Sequence, residues 1–113
     1  MIRPRWLAAV LLLFVAGSAA AEEEAPSSCI VFADDVASLG TQYANMYFDW
    51  AQHHMNRHNW IAKQRGKAGR DLDFDILDID QQLDYMLAFC TEQPDKEFVD
   101  AVMSLYQEFP VAE

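Results

Sequence analysis

Cysteine, glycine, proline and positive charge are all scarce in this chain. Its 113 residues include two cysteines, four glycines, four prolines and eight lysines and arginines. Each scarcity excludes something. Two cysteines allow only one intramolecular pairing. The four glycines form no phosphate-cradling loop. Ser38 and Ser104 have no nucleophile-elbow context, and no HExxH pattern accompanies the histidines, so an enzyme is not expected and no catalytic residue or cofactor is assigned. Eight basic against eighteen acidic residues give a formal charge of −10, which argues against nucleic acid and against anionic membranes. The only long apolar run is Trp6 to Ala16, and none of membrane-spanning length follows it.

That run sits behind Arg3 and Arg5 and before the small-residue stretch Gly17-Ser18-Ala19-Ala20-Ala21. The arrangement predicts a secretory signal peptide over 1–21, with export to the periplasm and a soluble mature chain. Residues 22–28 are acidic and then Pro-Ser-Ser, and read as a flexible leader. Residues 29–113 form one domain, small enough for a covalent staple to help. An oxidising compartment favours a Cys29–Cys90 disulfide across 61 positions of chain. Loss of the signal peptide also removes Arg3 and Arg5, leaving all eighteen carboxylates against six basic side chains. Protonating the carboxylates and charging the three histidines would reverse the sign of the molecule.

Hydrophobic periodicity predicts an all-α, four-helix domain. Cys29, Phe32, Ala33, Val36 and Leu39 keep helical spacing after a capping Ser27 or Ser28, and Gly40 breaks the pattern. A second helix over about 41–62 carries Tyr43, Met46, Tyr47, Trp50, His54, Met55, His58 and Ile61 as its stripe. The segment 63–75 reads as an exposed loop, with Lys63, Arg65, Lys67 and Arg70 beside Gly66 and Gly69, then Asp71, Asp73 and Asp75. The third helix follows Asp78, with Gln81 as a capping-box partner and Ile79, Leu83, Met86, Leu87 and Cys90 as its stripe. The fourth runs over about 95–108, with Phe98, Ala101, Val102, Leu105, Tyr106 and Phe109 on one face.

Two constellations invite metal chemistry. His54 and His58 share a helix face, and His53 is adjacent. The stronger reading makes His54 and His58 residues of the core or its edge whose protonation would loosen the helix, a pH-sensing role. Asp71, Asp73, Asp75, Asp78 and Asp80 resemble a calcium loop in spacing, but Ile76 stands where the glycine is required and Gln82 where the bidentate acid is required. A solvated acidic loop facing the basic segment is the expectation, and no metal is assigned.

The pattern Cys29, Tyr47-x-x-Trp50, Met55-x-x-x-Asn59, Phe89-Cys90-x-x-x-Pro94 and Phe98-Val99-Asp100-Ala101-Val102 with Leu105 resembles the small exported HdeA-like proteins. That family includes periplasmic acid-stress chaperones, and type VI secretion immunity proteins look similar. The resemblance implies a disulfide-stapled helical domain, the same Cys29–Cys90 bond, and no catalytic residues. The leading expectation is an acid-stress chaperone whose apolar faces, Tyr47 and Trp50 on the second helix and Phe98, Val102, Leu105 and Phe109 on the fourth, bind unfolded periplasmic proteins at low pH. Each of these residues also suits an ordinary core. The alternative is a module for one specific protein partner, such as a secreted toxin, with Lys63–Arg70 or Asp71–Asp80 as its surface. A second copy of the chain is a further candidate partner.

Overall fold

The computed structural model describes residues 27–113. The expected signal peptide over 1–21 and most of the acidic leader lie outside the described residues. Four helices follow one another: α1 Cys29–Leu39, α2 Thr41–Gln64, α3 Ile79–Glu92 and α4 Phe98–Glu108. Their ends are set by local chemistry. Ser28 accepts the Val31 amide at 3.3 Å and opens α1. Gly40 has φ 78°, a left-handed turn that only glycine makes without strain, and it separates α1 from α2. Asp78 and Gln81 form the reciprocal capping box at the start of α3, at 2.8 and 2.9 Å.

α3 packs against both α1 and α4, and α2 lies across all three. The Cys29–Cys90 bond joins the first residue of α1 to the last turn of α3 with a Cα–Cα distance of 4.8 Å. Both cysteines are buried. Beside them Phe32, Tyr47 and Phe98, from three different helices, meet ring to ring at 4.5–5.0 Å. Aromatic pairs at such spacings add about 0.5–1.5 kcal/mol each beyond the area they bury.

Several boundaries differ from the sequence expectation. Ser27 and Ser28 belong to the domain rather than to a leader. Ser27 O accepts the Phe98 amide at 3.1 Å, the Cys29 amide reaches Lys96 O at 3.0 Å, and Ser28 pairs with Glu97. Helix α4 begins at Phe98 rather than near Asp95, because Glu97 and Asp100 form its capping box and residues 94–96 make a turn. Helix α2 runs two residues past Ala62.

The core face of α2 is the larger correction. Its buried residues are Ala44, Tyr47, Phe48, Ala51 and Met55, whereas Met46 is 59 % exposed and Tyr43 also reaches solvent. A stripe drawn through the large aromatic and methionine side chains misses the alanines, whose small side chains let other helices approach closely. Leu39 and Ile79, at the ends of their helices, are also exposed. Gln82 takes a fully buried place on α3, satisfied by donation to Leu77 O at 2.8 Å and by the Gln52 amide at 2.6 Å. The α4 stripe is as expected, with Phe98, Ala101, Val102, Leu105 and Phe109 buried and Tyr106 partly so.

Replacing both cysteines by alanine is expected to cost about 4 kcal/mol, the chain-entropy figure for a loop of this size. Urea unfolding of the oxidised protein against the double variant measures it.

Candidate functional site

The residues assigned to client binding lie inside the folded domain. Phe98, Val102, Leu105 and Phe109 have essentially no exposed surface, and Tyr47 has only 7 %. Trp50 is half-buried and packs against Phe98 at 5.9 Å. Five of these six side chains belong to the core that all four helices share, and Trp50 packs against it. At neutral pH they form a core rather than a surface.

Tyr47 is further committed by its hydroxyl. It donates to Asp35 Oδ2 at 2.7 Å and receives the Ser27 hydroxyl at 2.8 Å. Burial pushes the phenol above its ordinary value of 10.0, and the Asp35 carboxylate adds to the shift.

His54 and His58 come together, but at the core edge and half-exposed rather than buried. Trp50 stacks on His54 at 4.8 Å with 13° between planes, His58 follows at 5.1 Å, and Tyr106 of α4 closes the column at 5.6 Å. A proton on His54 would sit over the indole face, which attracts a cation. Protons on both rings would place two like charges 5.1 Å apart, which is unfavourable. His53 is exposed. Among the described residues no group of three or more His, Cys, Asp or Glu side chains is placed to hold a metal ion.

The acidic run Asp71–Asp80 is exposed, and part of it serves the backbone. Asp73 accepts the Asp75 amide at 2.9 Å, and Asp78 caps α3. No ion pair among the described residues joins this run to the basic segment before it.

The structure adds a polar node that sequence reasoning missed. Asn59, near the end of α2, exchanges two hydrogen bonds with the Arg70 backbone, at 2.7 and 2.8 Å, and its Oδ1 also accepts the Tyr106 hydroxyl at 2.6 Å. Arg70 Nη1 donates to Phe109 O at 2.8 Å, and its guanidinium lies 5.9 Å from the Tyr106 ring centre. Two backbone bonds, Asp71 N to Pro110 O and Ala112 N to Gly69 O, both 2.9 Å, tie the loop to the C-terminal segment. A β-carbon at Gly69 would overlap the Asn59 side chain. Glycine is therefore required there by close approach. The signal was present only as Asn59 in the Met55-x-x-x-Asn59 pattern, off the α2 stripe, and as a glycine before an arginine.

This node frames a cleft of about 380 Å³ between the end of α2 and the loop, with Trp60, Lys63 and Lys67 on its walls. Trp60 is 63 % exposed.

No protein-family model, curated protein or solved structure matches the chain. The fold defines its class as an all-α domain of four helices stapled by Cys29–Cys90.

Two sets of variants test this geometry. Tyr47→Phe is expected to lose about 1 kcal/mol at neutral pH through its hydrogen bonds. The folded phenol keeps its proton to higher pH than the unfolded one, so its stabilisation is complete below 10.0 and is lost as pH rises through the folded value. Urea unfolding in alkaline buffer should therefore show a shallower decline for Tyr47→Phe than for the wild type. Asn59→Ala and Gly69→Ala should each cost about 1–3 kcal/mol, and the double variant less than the sum, because both break the same contacts.

Proposed function

We propose that this is an exported, periplasmic, non-enzymatic protein that acts as an acid-stress chaperone, uncovering apolar helix faces at low pH to bind unfolded clients. The observation that carries the reading is the placement of the staple relative to those faces. Cys29–Cys90 holds α1 to α3, whereas Tyr47 and Trp50 of α2 and Phe98, Val102, Leu105 and Phe109 on and just after α4 belong to or pack against the core that all four helices share. No disulfide ties α2 or α4 to the rest of the domain.

Acid supplies the opening force. Eighteen carboxylates lose their charge while six mature basic side chains and three histidines become the net charge. The molecule passes through neutrality and then repels itself as a cation. With the α1–α3 ends pinned, α2 and α4 can separate without full unfolding, and their aromatic and branched side chains reach solvent. The resemblance to HdeA-like proteins points the same way.

The test is aggregation of an acid-denatured client protein at about pH 3, below the carboxylate range. Suppression by the oxidised protein, with loss of near-ultraviolet dichroism, is the expected result. A protein that keeps its native near-ultraviolet signal at that pH and leaves client aggregation unchanged would sink the reading.

A further inference from the structure

We propose that the cleft formed by Trp60, Lys63 and Lys67 is a docking site for a short acidic peptide segment of a protein partner, one that carries an aromatic side chain among its carboxylates. This site belongs to the folded domain at neutral pH and is independent of the acid-chaperone reading.

Three observations carry it. The first is the indole. Trp60 is 63 % exposed at the wall of a cleft, and tryptophan is among the residue types that dominate binding energy at protein interfaces. The second is charge segregation. In a chain of net charge −10, Lys63, Arg65, Lys67 and Arg70 lie within eight consecutive positions. The neighbouring acidic run forms no ion pair with them among the described residues. The third is rigidity. Asn59 bonds to the Arg70 backbone, Lys67 N donates to Ala62 O at 2.8 Å, and Gly66 turns at φ 71°. A loop already held in one shape loses little freedom on binding.

The chemistry of the ligand follows from the groups that remain available. The Arg70 guanidinium is used on Phe109 O, so the ammonium groups of Lys63 and Lys67 are the charged walls. They suit carboxylates, and the indole suits an aromatic ring between them. Glu113 lines the same cleft and is the chain's own competitor for those amines. Long anionic polymers are disfavoured by the acidic remainder of the surface. A short segment is not, because charges beyond a Debye length of about 8 Å are largely screened at physiological salt.

The probe is fluorescein-labelled Asp-Glu-Phe-Glu-Asp, titrated with the oxidised protein at neutral pH and read by fluorescence anisotropy. The control is the uncharged Asn-Gln-Phe-Gln-Asn. The acidic peptide should bind about fivefold or more tightly than its amide counterpart, as two exposed ion pairs allow. Lys63→Gln with Lys67→Gln should remove that preference, and Trp60→Ala should weaken both peptides about tenfold. Glu113→Gln should tighten the acidic peptide about twofold by removing the internal competitor. Lys96→Gln, in the turn before α4, should change nothing. Unaltered helical circular dichroism checks that each variant folds. No binding of the acidic peptide, equal binding of the two peptides, or an unchanged Lys63/Lys67 double variant overturns the proposal.

Discussion

The disulfide between Cys29 and Cys90 is the constraint on which the other contacts depend. It is buried where α1 begins and α3 ends, and three aromatic rings from α1, α2 and α4 gather beside it. A domain this small buries too little apolar surface to absorb much loss of order. Closing a loop across 61 positions removes a large share of the unfolded chain's freedom before any side chain packs. The Ser28–Glu97 bridge and the paired backbone bonds around it extend the same junction to the start of α4. The start of α1, the end of α3 and the start of α4 are thereby gathered at one pole of the described domain.

The opposite junction is polar. Asn59, Arg70, Tyr106 and the C-terminal segment hold the long loop by hydrogen bonds rather than by buried area. Such bonds are directional, and they fix the loop's shape while leaving its outer side chains in water. The exposed Trp60 and its lysines stand on a rigid frame for this reason. Covalent and aromatic contacts secure one end of the bundle, and a hydrogen-bonded asparagine secures the other. Between them α2 carries a core face and, beside it, the half-exposed Trp50–His54–His58 column.

Charge acts on this frame from outside. Exposed carboxylates outnumber cations on α1, α3 and α4, whereas α2 carries only Asp49, and the described cations outside the basic loop are Arg57 and Lys96. At neutral pH that surface repels other anions. The faces with most to offer an unfolded client are hidden at neutral pH, and the one basic patch is not. The acid-stage and neutral-stage activities inferred for the protein therefore draw on different residues.

Much of this was legible in the residues themselves. Four helices, the Gly40 break, the Asp78–Gln81 capping box and the α4 stripe follow from spacing and capping chemistry, which act within a few residues, so a sequence states them directly. The single disulfide, across 61 positions, was legible for another reason: two cysteines leave only one pairing. Which face of α2 meets the core was decided by tertiary packing, because Ala44 and Ala51 bury themselves by allowing close approach, not by being large. The polar pairings of Gln82 with Gln52 and of Asn59 with Arg70 and Tyr106 join positions 11 to 47 residues apart, and no local pattern announces them. Trp60 lies off the apolar stripe read for α2, and its exposure agrees with that position. What lines the cleft beside it was decided by the fold, which brings the distant C-terminal segment back against the loop through backbone hydrogen bonds.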